Sequence, residues 1–342
     1  MQNKPPLVCI CIPTYNAAGT VRETLESILA QTYTNLVVHI SDNASTDDTL
    51  KVLESIVDSR VTLHRNTENI GGEGNFNRCI ELAEGKYTGI FHADDVYEPN
   101  MVAKQVAFLE TNTKAGAVFT GAIKIDENGQ KIGEFVLPKS LVEEDGLYDF
   151  KSIFKAVLQY SNFFVCPSVM ARTTVYQQDI QSWRGDAFKT SADLDVWFRM
   201  LQRNKIGILP ESLMRYRISS GQHSERLRSR TGRADLFLVL DYYLAQKDVQ
   251  ALLNEEDRLH FRRLERTDRI VRAVNWYLSG NAHEARVLCR DILSVDAFRA
   301  AMHDRRGLIT FALGIALNCF IFLRLSVIGK PFLLRLKRIA GK

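Results

Sequence analysis

Residues 86–99, KYTGIFHADDVYEP, carry the turning point of the chain. Tyr87, Thr88, Gly89, Ile90 and Phe91 form a short β-prone run that stops at His92, Ala93, Asp94 and Asp95, and Pro99 then opens an amphipathic helix. Two carboxylates therefore stand at the carboxyl end of a strand. In open α/β sheets ligands bind at that edge, and adjacent acids there can hold a hard divalent cation that neutralises a diphosphate. The same acids also read as strand terminators that favour the start of the next helix. Residues 86–99 alone leave both readings open.

Toward the amino terminus, strands and helices alternate. Residues 7–12 are a continuous apolar run, as in a parallel strand covered on both faces, and Pro13, Thr14, Tyr15 and Asn16 end it. Thr20 and Glu23 have the spacing of a capping box, and Val21, Leu25, Ile28 and Leu29 share one helical face. Residues 36–40 form a second strand, broken by the polar run 41–48 before a helix marked by Leu50, Leu53, Ile56 and Val57. A third strand at 61–64, a glycine loop at 69–74 and a helix carrying Phe76, Ile80 and Leu82 return the chain to Tyr87. Successive β/α units with right-handed crossovers imply an α/β fold with a Rossmann-like, mostly parallel sheet flanked by helices. The Gly-x-Gly-x-x-Gly spacing is absent after the first strand and no Gly-Lys-Ser/Thr loop follows it, which argues against a nicotinamide or flavin cofactor.

Beyond residue 99, residues 117–120 and 122–125 read as strand, and Asp126, Glu127, Asn128 and Gly129 as a turn. The aromatics between 148 and 165 read either as a substrate-facing region or as core. Leu194, Trp197, Phe198 and Leu201 form an apolar helical face with Asp193 in its first turn, where an acid also suits the helix dipole by about 0.3–1 kcal/mol. Arg226, Arg228, Arg230 and Arg233 favour a solvated linker over a phosphate clamp. From 234 to about 303 the pattern is helical, and 273–286 reads as one tetratricopeptide-like hairpin, a helical appendage rather than an array.

At 342 residues, 46% of them hydrophobic and 25% charged, the chain supports a large core and more than one domain. Its net charge of +4 is too small to point to nucleic acid. The distribution is uneven: no acid follows Asp304, whereas Arg305, Arg306, Arg324, Lys330, Arg335, Lys337, Arg338 and Lys342 do, which favours an anionic membrane surface. Residues 308–323 have only Thr310 and Asn318 as strongly polar members, are shorter than the roughly 20 that span a bilayer, and are flanked by basic residues on both sides. An in-plane or re-entrant segment is expected; the alternative is a core helix closing a bundle. The six cysteines are scattered without a C-x-x-C pair and read as reduced thiols. With an amino terminus unlike a secretory signal, they imply a cytoplasmic protein peripheral to the inner face of the membrane. The expected division is 1–230, a helical appendage at 231–305 and a membrane-associating tail at 306–342.

Taken together, residues 13–16 (PTYN), 41–47 (SDNASTD), 77–87 (ending AEGKY) and 92–95 (HADD) closely resemble the family 2 glycosyltransferases of the GT-A fold. The likeness continues more loosely through Cys166-Pro167-Ser168-Val169-Met170, residues 193–197 and Tyr216-Arg217. It implies that Thr14 and Tyr15 line a nucleotide pocket, with Pro13, Asn16 and Asn77 at matching positions, and that Asp42 accepts a hydrogen bond from the base. It further implies that Asp94 approaches the ribose or a metal, that Asp95 ligates Mg²⁺ or Mn²⁺ on the donor diphosphate, and that Arg217 is a candidate diphosphate contact. Asp193 matches the base that deprotonates an acceptor hydroxyl, so a single displacement with inversion is expected. The implied partners are a nucleotide-sugar donor, of uridine diphosphate type, and a glycan or lipid-linked acceptor. This chain has His92 where the family carries the first acid of Asp-x-Asp, Ala192 where a Glu often precedes the base, and Ser219 where a His follows Arg217. His223 is a candidate late metal or phosphate ligand. A sugar-phosphate nucleotidyltransferase would want a glycine-rich basic loop after the first strand, and a non-catalytic nucleotide-sugar-binding scaffold would not need Asp94, Asp95 and Asp193 intact.

Overall fold

The apolar runs at the amino end become strands of one sheet: β1 (Val8–Thr14), β2 (Leu36–Asp42), β3 (Val61–Arg65) and β4 (Tyr87–Ile90). Helices α1 (Val21–Leu29), α2 (Thr49–Glu54) and α3 (Gly71–Leu82) connect them. In this computed structural model, residues 4–142, 146–219, 229–294, 297–298, 302, 305–323 and 325–340 are described. The chain divides into two compact units, Met1–Phe154 with Asn162–Ser219, and Lys155–Ser161 with Ser220–Lys342.

In the first unit β1 pairs parallel with both β2 and β4, and β2 with β3. Val8, Ile10, Ile12, Val38 and Ile40 are fully buried between helices, each worth about 1.5–3 kcal/mol relative to exposure. Gly85 sets the register of β4. Its φ is +69°, and a Cβ there would lie 2.6 Å from the Leu7 carbonyl oxygen, which accepts the Lys86 N–H at 2.9 Å.

The later strands are β5 (Val96–Tyr97), β6 (Ala115–Ile125), β7 (Lys131–Glu134), β8 (Leu147–Tyr148), β9 (Met170–Arg172) and β10 (Lys205–Arg217). The sheet runs β3-β2-β1-β4-β9-β6-β10-β5, with β7 on β6 and β8 on β10. β9 lies antiparallel between β4 and β6, while β6 and β10 are parallel to one another. This is the mostly parallel α/β sheet expected from the sequence. Helices α4 (Met101–Thr111), α5 (Phe150–Tyr160), α6 (Gly185–Phe188) and α7 (Ala192–Leu201) complete this part of the chain. Of the aromatics between 148 and 165, Tyr148, Phe154, Phe163 and Phe164 are buried, so that stretch is largely core.

The capping box expected at α1 does not form. The Thr20 hydroxyl donates instead to the Ala93 carbonyl at 2.9 Å, and the Glu23 carboxylate pairs with Arg217 at 2.6 Å. Both residues fit a local signature, yet Thr20 reaches the loop after β4 and Glu23 the end of β10.

The second unit is helical: α8 (Leu236–Leu244), α9 (Lys247–Ala251), α10 (Glu255–Leu278), α11 (Ala282–Leu288), α12 (Arg305–Phe322) and α13 (Ser326–Ala340). The turn expected between α10 and α11 forms, with Gly280 at φ +97°. Leu313 and Leu317 of α12 and Leu333 of α13 pack with Ile270, Val274 and Tyr277 of α10. One face of the apolar run at 308–323 is thus core, and Phe322 at its end is exposed. Among the described residues no helix is long and apolar enough to cross a membrane.

Candidate active site

Parallel pairing in register puts Thr14, at the end of β1, beside Asp42, at the end of β2. Just past β4, the Phe91 N–H donates to the Cys11 carbonyl at 2.9 Å, so the loops after β1, β2 and β4 leave the sheet along one edge. The first two loops are laced together. The Asn16 N–H donates to Ser45 Oγ at 3.0 Å, the Thr46 N–H to Asn16 Oδ1 at 2.8 Å, and the Ala17 N–H to Thr49 Oγ1 at 2.8 Å. Asn16 and Ala44 adopt left-handed backbone, φ +49° and +58°, a strain that surrounding bonds must hold and that clusters at functional sites. Pro13 is part-buried and Thr14 buried, whereas Tyr15 is 47% exposed and presents its ring outward. Asp42 is buried; its Oδ2 accepts the Ser45 N–H at 3.1 Å, and its Oδ1 has no hydrogen-bond partner among the described residues.

A second set of amides ties α3 to this edge. Asn43 Oδ1 accepts the Ile70 N–H at 2.9 Å, and Asn75 exchanges bonds with the Ser41 hydroxyl and carbonyl at 2.6 and 2.9 Å. From α3, Asn77 Oδ1 accepts the Trp183 N–H at 2.8 Å and Glu73 accepts the Gly185 N–H at 2.7 Å. A Cβ on Gly185 would meet the Glu73 carboxylate at 2.0 Å, so a larger residue there would push the Glu73 side chain aside and break this bond. Trp183 packs on Phe76 with ring centroids 4.6 Å apart, and Phe76 meets His92 edge-on at 5.7 Å.

After β4, His92, Asp94 and Asp95 each offer a ligand atom, all within 4.8 Å of one another. Asp95 is completely buried. Its Oδ1 accepts the Arg217 N–H at 2.9 Å, and its Oδ2, 3.9 Å from His92 Nδ1, has no hydrogen-bond partner among the described residues. Burial, and then the charge of Asp94, hold the Asp95 carboxyl well above the usual carboxylate range, while burial pushes the His92 imidazole down. A buried carboxyl without a donor on one oxygen either keeps its proton or takes a positive charge beside it. The two carboxylates suit Mg²⁺ or Mn²⁺, and of these two ions the imidazole beside them suits Mn²⁺ better, so these residues fit the divalent ion the sequence implies.

Arg217 straps this loop. Its Nε donates to the Asp94 carbonyl at 2.9 Å, Nη1 to the carbonyls of Asp126 and Glu127 at 3.2 and 3.1 Å, and Nη2 to Glu23 at 2.6 Å. At 4% exposure, its guanidinium is committed to the protein's own oxygens.

Asp193 stands in the first turn of α7, where the Leu194 N–H donates to its Oδ1 at 2.7 Å. Burial pushes its carboxyl up to about 6, against the pull of that N–H and of the Asn162 side chain. The Cys166 thiol is raised first by burial and then by the charges of Asp193 and Asp95. Sequence reasoning singled out Asp193, Asp42, Asp94 and Asp95 but assigned His92 no role and missed Glu23, Asn162 and Trp183. His92 adjoins the acids in the sequence; Glu23 carries only a helix-capping signal, and Asn162 and Trp183 carry none. His223 lies outside the described residues.

The geometry agrees with what comparison finds. The family model described as Glycosyl transferase family 2 matches residues 9–176. The putative glycosyltransferase EpsE of Bacillus subtilis is 30% identical over 229 residues, covering 66% of this chain and 77% of that one. The chain belongs to glycosyl transferase family 2. Solved structures with the GT-A architecture of this family share the fold. S. aureus TarS 1–349 in complex with UDP-GlcNAc matches with a TM-score of 0.55 at 16% identity, over 83% of this chain and 90% of that one. The mannosyltransferase PcManGT from Pyrobaculum calidifontis, in complex with GDP-Man and Mn²⁺, matches with a TM-score of 0.56 at 17% identity, over 98% and 87%. The protein is thus a glycosyltransferase with a GT-A sheet and a helical carboxyl-terminal region.

Proposed function

We propose that this glycosyltransferase is metal-dependent and inverting, and that it moves a sugar from a uridine diphosphate donor to a glycan or lipid-linked acceptor in cell-surface polysaccharide synthesis. The observation that carries this reading is that His92, Asp94 and Asp95, in the loop after β4, offer three ligand atoms within 4.8 Å of one another, while Asp193 is a further, part-buried acid in the first turn of α7. Asp95 has an unsatisfied oxygen suited to a cation, and Asp193 is poised near neutrality to take a proton.

Asp95, Asp94 and His92 would hold Mg²⁺ or Mn²⁺, which supplies charge neutralisation for the departing diphosphate. Tyr15 offers its exposed ring to the base, Asp42 accepts a base N–H, and Asp94 can also reach the ribose. Asp193 accepts the proton of the acceptor hydroxyl as that oxygen attacks the anomeric carbon and the bond to the diphosphate oxygen breaks. No second carboxylate is needed as leaving-group acid. Arg217 serves the site by fixing the acid loop, not by reaching the diphosphate itself. The tail at 306–342, basic and partly apolar, places the enzyme on the cytoplasmic face of an anionic membrane, where a lipid-linked acceptor is presented.

Transfer from UDP-sugars to a membrane extract, measured with and without chelator, tests the metal; full turnover in chelator refutes its role. Asp193→Asn is expected to abolish transfer while retaining UDP binding, and wild-type turnover in that variant removes Asp193 from the mechanism.

A further inference from the structure

The helical unit leaves apolar surface uncovered, and part of that surface is a groove. A cavity of about 350 Å³ lies between the end of α11 and the end of α12, lined by Arg286, Arg290, Leu293, Cys319, Phe322 and neighbouring residues. Leu293 is 76%, Phe322 81% and Leu323, also in the lining, 58% exposed, and further along the chain Ile328, Phe332 and Leu334 are exposed by 63, 46 and 46%. Scattered exposed apolar residues are ordinary, but a run of this kind beside a groove marks an interaction surface.

Charge decides among occupants. Among the described residues the groove is lined by two exposed arginines and no acid, and every charged residue after Asp304 is basic. A second copy meeting this face across a two-fold axis would set arginine against arginine and basic tail against basic tail. A surface rich in anionic phosphodiesters with acyl chains beneath matches both the arginines and the apolar walls.

We infer that this groove seats an anionic phospholipid of the bilayer surface, its phosphodiester against Arg286 and Arg290 and its first methylenes against Leu293 and Phe322. The inference rests on the membrane-surface reading proposed above and adds a defined lipid site to it.

The test uses the full chain and vesicles of phosphatidylcholine, alone or with one-third phosphatidylglycerol. Wild-type protein is expected to co-sediment with the anionic vesicles, and the double variant Arg286→Gln/Arg290→Gln to partition about 25-fold more weakly, roughly fivefold per charge. A fluorophore on Cys319, in a Cys166→Ser background, is expected to be quenched by phospholipid bearing a nitroxide high on its acyl chain. This readout does not depend on any groove variant folding. Co-sedimentation without Cys319 quenching, or with an unaffected double variant, overturns the groove and leaves the membrane reading standing. No co-sedimentation at either composition overturns both. Self-association in the ultracentrifuge that Phe322→Ser abolishes assigns the face to a second copy and also overturns the inference.

Discussion

Asp195 on α7 and Asp95 after β4 are both completely buried carboxylates, and the molecule treats them in opposite ways. Asp195 is gripped by Arg184, through Nε at 2.9 Å and also through Nη2, and by Arg199 Nε at 2.9 Å. Arg199 itself donates to the carbonyls of Ile180 and Ser182 at 2.7 Å each. Asp95 has one backbone N–H and an oxygen with no hydrogen-bond partner among the described residues. A buried charge that the protein neutralises itself is a structural pin; one left with an open oxygen beside a His and a second Asp is prepared for a charge from outside. On the function proposed above, the difference separates an acid that pins the fold from the acid that would hold the metal, although neither is visible at the surface.

The comparison can be broken most decisively at Asp95. Asp95→Asn is expected to lower metal-supported transfer by roughly 10³-fold while the melting temperature of the metal-free protein holds, because burial already disfavours the charged form of this carboxyl and the amide carries no charge. Asp195→Asn should do the reverse to the fold, lowering the unfolding free energy by about 3 kcal/mol in a urea titration, since it leaves two arginines without their counter-charge. If both variants lose stability alike, Asp95 is a second structural pin and the distinction fails.

Asp193 sharpens the contrast through pH. With its carboxyl raised to about 6, kcat/KM should climb about tenfold per pH unit up to that point and level off above it. The sign for stability is opposite. The folded state holds this proton more tightly than the unfolded chain, whose ordinary value is 3.8, so the contribution is complete below that value and is lost as pH rises through about 6. Asp193→Asn should therefore flatten that part of the stability profile and melt higher than wild type at pH 7. The smallest effect belongs to Thr20→Val, which removes the hydroxyl bond to Ala93 and should cost about 1 kcal/mol in the same titration.

Much of the fold was legible in the sequence because its signals are short-range. The apolar runs at 7–12, 36–40 and 61–64 became β1, β2 and β3, and the HADD stretch lies where a strand end met turn chemistry. The site was legible in part: Asp42, Asp94, Asp95 and Asp193 each follow a strand or open a helix, positions that local pattern reveals. Thr20 and Glu23 show where local reading stops. Their spacing is that of a capping box, but the backbone donors they would have served lost to partners elsewhere.

What the sequence determined by itself, then, is the succession of strands and helices, the loops that carry the acids, and the basic, apolar character of the tail, because hydrophobic period and turn chemistry act over a few residues. Only the tertiary structure decided which polar groups meet. Thr20 finds Ala93 across 73 residues and Glu23 finds Arg217 across 194, and no periodicity encodes a partner at that range. Whether a buried carboxylate ends up paired like Asp195 or open like Asp95 depends on which side chains the sheet brings beside it, and that is settled when the strands assemble.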